Sequence, residues 1–394
     1  MGYTIGLFND SFPPVIDGVA NTVINYAKII NRDYGESVVV TPAYPKVIDD
    51  YPFKVLRYFS VPLTDKVSYR AGLPFSRRIL RNVLDVDMDL IHVHSPFASG
   101  ILARRIARKR KIPIVATYHT KFDLDFEQYI KPKRMRQFAI NRILSFFNSV
   151  DEVWVVNAGT GKALENIGFK GTYRVMVNGT DFIRGKAPEE DIAVVKEKHS
   201  IADDELVFIF VGRMIWHKNT RIIIEALKTV RDAGIKFKML FVGDGYDKDD
   251  MKALVKKLGL DDVVAFPGVI KDRKLLRAYF SCANMFLFPS IYDNAPIVVR
   301  EAAACLCPSL LVAGSCSAEG INDNENGFLT SADSTSFAKR MLEIIADPAL
   351  LKQVGENASK TVFLSWDEAV GHAAKRYQEI IDAWPYPLPC KKVK

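Results

Sequence analysis

Residues 206–219 read LVFIFVGRMIWHKN, and this stretch decides the fold. Leu206–Val211 is six apolar residues with no polar alternation, which predicts a strand buried on both faces, as in a parallel sheet. A glycine ends the run, and the helical period of Thr220–Asp232 follows it, giving a strand–turn–helix unit. Similar units extend downstream. Lys238–Val242, Val263–Phe266, Met285–Phe288 and Ser309–Val312 read as strands. Asp249–Lys257, Lys271–Tyr279, Ile297–Cys305 and Ser334–Ile345 read as helices between or after them. Upstream, a polar linker rich in Lys and Glu near residues 184–204 interrupts the pattern. Before it lie strands at Tyr3–Phe8, Ser37–Thr41, Leu90–His94, Ile114–Tyr118, Glu152–Val156 and Arg174–Val177, with helices at Val19–Ile30 and Gly100–Lys109. Strand–helix alternation twice over predicts an α/β protein of two doubly wound, Rossmann-like domains facing across a cleft, residues 1–183 and 184–365. The closing amphipathic segment Trp366–Trp384 predicts a helix, with about 366–394 packing back on the first domain.

The length of 394 residues exceeds one ordinary core and suits two domains. With 48% hydrophobic and 25% charged residues the composition is that of a globular protein. No run approaches the roughly 18–20 apolar residues that would span a bilayer, and Met1–Thr4 leads straight into a strand without the basic region of a signal peptide. Cys282, Cys305, Cys307, Cys316 and Cys390 are an odd number without metal-ligand spacing, so reduced thiols in a cytoplasmic protein are expected. The charge of +8 is unevenly placed: residues 1–180 carry 25 Lys and Arg against 16 Asp and Glu, a balance of +9, which leaves −1 for the rest. A basic first half fits a polyanionic partner, and equally a set of scattered solubilising lysines.

In such sheets ligands bind beyond the carboxyl ends of the strands. Arg213 and Lys218 follow the strand Leu206–Val211 and precede a helix, a setting for a diphosphate, whereas two solvent-facing cations would look the same in sequence. After Met285–Phe288 comes PSIYDNAPIVVREAAA, with Asp293 in the loop and Glu301 on the following helix. Asn294, Ala295, Pro296 and Ile297 open that helix. One carboxylate can take hydrogen bonds from sugar hydroxyls and the other from a ribose diol. The simpler readings are dipole complementarity for Asp293 and a surface role for Glu301, although Val298, Val299 and three alanines make a poor setting for a solvated charge. In the first half, NDSFPPVIDGVANT places Gly18 at a helix start, where backbone can approach a ligand. It is not the GxGxxG of a dinucleotide-binding dehydrogenase. His94 and His119 end two strands of one sheet, which exceeds what a lone structural histidine offers.

Together these segments resemble glycosyltransferase family 4, the retaining, metal-independent enzymes of GT-B fold, over roughly residues 3–385. The family's pair of glutamates separated by seven residues appears as Asp293 and Glu301, the first shorter by one methylene. Its phosphate clamp appears as Arg213 and Lys218, with Asn219 in place of the usual glycine. Asn178–Asp181 (NGTD), Gly243–Gly245 (GDG) and Phe266–Gly268 (FPG) match further motifs in family order. The resemblance implies that Glu301 holds the ribose and that Arg213 and Lys218 neutralise the diphosphate. It implies that Asp293 and the amides of Asn294–Ile297 bind the transferred sugar and that Gly18 abuts the phosphates. It implies that His119 meets a donor hydroxyl. Val269, next to the FPG segment, joins the donor-binding candidates. No cofactor or metal is expected; the nucleotide sugar, UDP-glucose or UDP-galactose, is a substrate.

Two segments point to the acceptor. Pro74–Leu84 combines Arg77, Arg78 and Arg81 with Phe75, Ile79, Leu80 and Leu84. Lys131–Phe147 sets Met135, Phe138, Ala139, Ile143, Phe146 and Phe147 near helical spacing after a basic cluster. Basic residues beside aromatic and aliphatic ones suit an anionic membrane surface, unless both helices bury these faces in the core. TYHTKFD around His119 also resembles bacterial diacylglycerol glycosyltransferases. The expectation is a hexosyltransferase on a lipid or lipid-linked acceptor, peripheral on the inner membrane face. A soluble or polysaccharide acceptor and a GT-B nucleotide-sugar epimerase are the alternatives. A nucleic-acid partner is not expected, since no recognisable module is present.

Overall fold

The computed structural model describes residues 2–15, 17–64, 67–73, 77–122, 126–127 and 130–386. The chain divides into two units, Met1–Asn178 with Trp366–Lys394, and Gly179–Ser365. In the first, β1 (Tyr3–Phe8) leads to α1 (Gly18–Ile29), and a π-turn at Ile30–Tyr34 leads to β2 (Gly35–Pro42). β3 (Lys54–Tyr58), the pair β4 (Ser60–Thr64) and β5 (Val67–Gly72), and α2 (Arg77–Leu84) come next. β6 (Leu90–Val93), α3 (Ala98–Arg110), β7 (Ile114–Tyr118), α4 (Lys133–Phe147), β8 (Glu152–Val155), α5 (Ala158–Asn166) and β9 (Tyr173–Val175) follow. The sheet runs β3-β2-β1-β6-β7-β8-β9 with every pairing parallel, and β4 and β5 form a separate antiparallel pair. All residues of β1, β6 and β7 are buried, as their unbroken apolar sequences require.

In the second unit, α6 (Glu189–Lys198) leads to β10 (Leu206–Val211), α7 (Thr220–Asp232), β11 (Phe237–Val242), α8 (Lys248–Lys257) and β12 (Val264–Gly268). α9 (Arg273–Cys282), β13 (Met285–Phe288), α10 (Ile297–Ala304), β14 (Ser309–Val312), β15 (Phe328–Thr330), α11 (Ser334–Ile345) and α12 (Pro348–Thr361) complete it. Its parallel sheet runs β12-β11-β10-β13-β14-β15. The strand order therefore reverses between β10 and β13. This is the open-sheet arrangement that places a crevice at the ends of those two strands.

The stretch expected to be a linker contains α6. Its Glu189, Glu190 and Asp191 occupy the first turn and Lys196 and Lys198 the last, matching the helix dipole, while Ile192 and Val195 are buried. A helix needing only two apolar anchors reads as a charged connector in sequence. The segments of β3 to β5, α5, β15 and α12 were likewise not read as elements. α13 (Trp366–Asp382) belongs to the first unit, where Tyr377 stacks on Trp154, with ring centroids 5.2 Å apart, and Trp366 packs edge-on to Tyr26.

Candidate functional site

The loops after β10, β11, β12 and β13 lie at the carboxyl ends of the strands of the second unit. A pocket of about 300 Å³ is lined by Gly212 and Arg213 after β10, Gly243 and Asp244 after β11, and Val269 and Ile270 after β12. The GDG motif has a steric cause. Gly243 sits at φ +136°, and a Cβ there would lie 2.0 Å from the Gly212 carbonyl oxygen; one on Gly245 would lie 2.2 Å from that of Met214. The two loops can pack this closely only without side chains. Arg213 is exposed and makes no ion pair among the described residues, leaving its charge available at the pocket wall.

Lys218 is differently placed. It ends a short 3-10 turn, Trp216–Lys218, and its Nζ lies 2.7 Å from each carboxylate oxygen of Asp293. Ser290 Oγ donates to Asp293 Oδ2 at 2.6 Å, and Lys218 also lies over the Phe288 ring. The two cations thus differ: Arg213 is exposed, while Lys218 is paired with the Asp293 carboxylate. Asn219 accounts for the departure from the family glycine. Its φ is +57°, a left-handed conformation that asparagine tolerates better than other side-chain-bearing residues, and its Nδ2 donates to the Pro289 carbonyl at 3.1 Å. One residue supplies the turn and joins the loops after β10 and β13.

α10 begins at Ile297 behind Pro296, so its first amides face outward without intrahelical partners. Pro296 itself has no N–H and adds only its carbonyl, so it drops out of the run of amides expected over Asn294–Ile297. Glu301, in the second turn, is 5% exposed, which excludes a surface role. Its Oε1 accepts from Arg273 Nη2 at 2.6 Å. Arg273 also forks onto Asp181, with Nε 2.9 Å from Oδ2 and Nη2 on Oδ1, and covers the Phe182 ring. Burial raises the Glu301 carboxyl pKa, and Arg273 works against that rise. Burial disfavours the Arg273 charge, but Asp181 and Glu301 outweigh it and raise its pKa. Sequence reasoning missed Arg273 because its partner lies 28 residues away on another helix and no spacing connects them.

In the first unit, His94 Nδ1 lies 3.0 Å from His119 Nε2, so the two strand-end histidines are partners. His92, two residues earlier on β6, lies between Tyr377 Oη (2.5 Å from Nδ1) and Thr117 Oγ1 (2.7 Å from Nε2). Burial lowers all three, His119 to about 3, and each ring is neutral at physiological pH. Asp10 was also missed, although it lies two residues beyond β1, at the reversal between β1 and β6. It accepts from Tyr58 Oη at 2.9 Å, Ser95 Oγ at 2.5 Å and the Ser99 amide at 2.9 Å, and burial raises its pKa in spite of these donors. Gly18 is exposed and is the first residue of α1, with open space where a Cβ would stand. The helix start already has a carboxylate cap, since Asp17 Oδ1 accepts from the Ala20 amide at 2.7 Å.

The two basic segments part company. α2 buries Ile79 and Val83 in the core and exposes Arg77, Arg78 and Arg81, so it offers charge and no free apolar face; Phe75 lies outside the described residues. α4 divides along its length. Ile143, Phe146 and Phe147 are buried, while Met135 and Phe138 are 62% and 68% exposed among Lys131, Lys133 and Arg134. Arg142 of α4 adds to the positive field of Arg108 around Arg104, whose pKa is lowered first by burial and then by those two cations.

Two family models match the chain, "Glycosyltransferase Family 4" over residues 16–184 and "Glycosyl transferases group 1" over residues 191–361. The chain belongs to glycosyltransferase family 4. It is 24% identical over 367 residues to the alpha-monoglucosyldiacylglycerol synthase of Acholeplasma laidlawii, covering 90% of this chain and 91% of that one. It is 27% identical over 310 residues to the enzyme of the same name from Streptococcus pneumoniae, covering 77% and 70%. Anabaena HepE, solved with UDP and glucose, superposes with a TM-score of 0.76 at 18% identity, over 96% of this chain and 100% of that one, and shares the GT-B architecture. This family 4 enzyme is a glycosyltransferase whose relatives include lipid glycosyltransferases.

Proposed function

We propose that this glycosyltransferase moves a hexosyl group from a UDP-sugar, UDP-glucose or UDP-galactose, to a lipid or lipid-linked acceptor at the cytoplasmic membrane face. The observation that carries the donor half is the Lys218–Asp293 ion pair, which joins the loops after β10 and β13 at the strand reversal of the second unit, with Arg213 on the pocket wall after β10 and Glu301 buried on the helix after β13. Arg213, Lys218 and the first amides of α10 supply positive charge for a leaving diphosphate, so the proposed reaction uses no metal. No side chain is nominated as nucleophile; the leaving phosphate takes the acceptor proton on the face of attack, which retains the anomeric configuration. His119, neutral through burial, is suited to a hydrogen bond with a sugar hydroxyl rather than to proton transfer.

The lipid half rests on α4. Exposed Met135 and Phe138 beside a run of Lys and Arg form a surface that anionic headgroups attract and acyl chains accept, with each cation near such a surface worth about 1 kcal/mol. No helix among the described residues is long and apolar enough to cross a membrane. The two relatives named as diacylglycerol-lipid synthases support the same acceptor class.

Calorimetry with UDP-, GDP- and ADP-sugars against the wild type and Glu301→Ala tests the donor, and binding of none would end the nucleotide-sugar reading of this site. Co-sedimentation with anionic and zwitterionic vesicles tests the surface. Selective binding to anionic vesicles is expected; equal, negligible binding to both would direct the acceptor search to soluble or polysaccharide glycans.

A further inference from the structure

The NGTD segment has no role in the chemistry described above, yet it bears directly on the donor site. Asp181, its last residue, holds Arg273 through two hydrogen bonds, and Arg273 reaches Glu301 Oε1 at 2.6 Å. The anchor is itself fixed. The Thr180 amide donates to the Leu364 carbonyl at 2.9 Å, and Thr180 pairs with Ser365 in an isolated bridge. The ring of Phe182 lies beneath the guanidinium, 4.5 Å from its centre. Arg273 is therefore held from two sides, by the Asp181 carboxylate and the Phe182 ring, before it meets Glu301.

Glu301 depends on it in two respects. Among the described residues Arg273 is the only side chain that hydrogen-bonds this carboxylate, and it takes only Oε1, so Oε2 remains for a ligand. The carboxylate is also 95% buried, where an unpaired negative charge is costly. A carboxyl group that gained a proton would accept hydroxyl hydrogen bonds less well. Arg273 opposes the rise that burial imposes on the carboxyl, tethers one oxygen and leaves the other without a side-chain partner among the described residues.

We propose that Arg273, anchored by Asp181, is a positioning residue that fixes the Glu301 carboxylate through Oε1 so that Oε2 accepts the ribose hydroxyls of the nucleotide. The proposal rests on the reading of Glu301 as the ribose acceptor. It gives the NGTD aspartate a function and extends the donor site to the start of α9. The alternative is an ion pair that only stabilises the fold, and binding measurements with a modified ribose separate the two.

The full chain is titrated calorimetrically with UDP and with 2′,3′-dideoxy-UDP, which has the base and diphosphate but no diol. The wild type is expected to favour UDP by roughly 10- to 100-fold, the range of one or two hydrogen bonds to a charged group. Arg273→Met is expected to lose most of that preference while binding the dideoxy nucleotide within about 2-fold of wild type, and Arg273→Lys to recover part of it. Asp181→Asn, which leaves Arg273 in place, is expected to give an intermediate loss and serves as the second variant should Arg273→Met fail to fold. A wild type indifferent to the diol would overturn the ribose reading of Glu301 itself. Discrimination that persists in the folded variants, or a parallel fall in affinity for both nucleotides, would overturn the proposal for Arg273 alone.

Discussion

Lys218 Nζ stands 2.7 Å from both carboxylate oxygens of Asp293, so the expected phosphate cation and the expected sugar carboxylate pair with each other. Both side chains are largely buried, at 12% and 21% exposure, and Ser290 holds the carboxylate from a third direction. A nucleotide sugar must therefore compete for each. Asp293→Ala frees Lys218 and removes the sugar contact together. Binding of UDP alone should be retained or tightened up to about 10-fold, while turnover should fall at least about 100-fold. Calorimetry with UDP and steady-state rates with the UDP-sugar check the split. Parallel losses in both would show that Asp293 supports the whole site rather than the sugar.

Asn219 gives a stability prediction at the same crevice. Its φ of +57° costs little for glycine and roughly 1 kcal/mol for most other residues. Asn219→Gly should leave stability within about 1 kcal/mol of wild type, since relief of the backbone offsets the lost hydrogen bond to Pro289. Asn219→Ala should lose about 1–3 kcal/mol, having neither the turn preference nor the side-chain donor. Urea denaturation of the two variants orders them, and equal losses would contradict the backbone argument.

The histidines of the first unit predict a pH dependence. His92, His94 and His119 are lowered by burial, so in acid the unfolded chain takes up protons that the folded chain refuses. Their contribution is complete above the unfolded value near 6.5 and declines as pH falls below it, for His119 down to about 3. Each such histidine removes up to about 1.4 kcal/mol of stability per pH unit in that window. Denaturation of the first unit between pH 7 and pH 4 should show this slope. His94→Phe, which removes one titrating ring, should flatten it by about one proton, and an unchanged slope would place the acid sensitivity elsewhere.

Much of this was legible in the sequence because it is local. Uninterrupted apolar runs such as Leu206–Val211 can only be buried parallel strands, and their order along the chain fixes two doubly wound sheets. Arg213, Lys218, Asp293 and Glu301 stand out as candidates in the sequence because they lie in the segments that follow β10 and β13. What escaped is non-local or marginal. Arg273 is meaningful only once α9 is packed beside α10, and α6 exposes so many charges that its two buried residues leave little periodic signal. The divided character of α4, buried at Ile143 and exposed at Phe138, follows from where the domain surface cuts across a helix, which periodicity does not report.

The closing helix α13 offers the most severe test of how the first unit is held together. Tyr377 is fully buried, stacked on Trp154, edge-on to Tyr3, and in hydrogen-bond contact with His92 through its hydroxyl. Tyr377→Phe retains the ring and leaves a buried histidine nitrogen without its partner, which should cost about 1–3 kcal/mol. Tyr377→Ala also empties the space of an aromatic ring and should cost about 3–5 kcal/mol, enough to unfold a marginal domain. The second unit contains none of these contacts, as α13 belongs to the first. Calorimetry of Tyr377→Ala should therefore show an early transition for the first unit, while UDP still raises the midpoint of the second by mass action. A single transition shifted as a whole, with no UDP-stabilised remainder, would mean that the two units unfold together and that α13 supports the donor site as well.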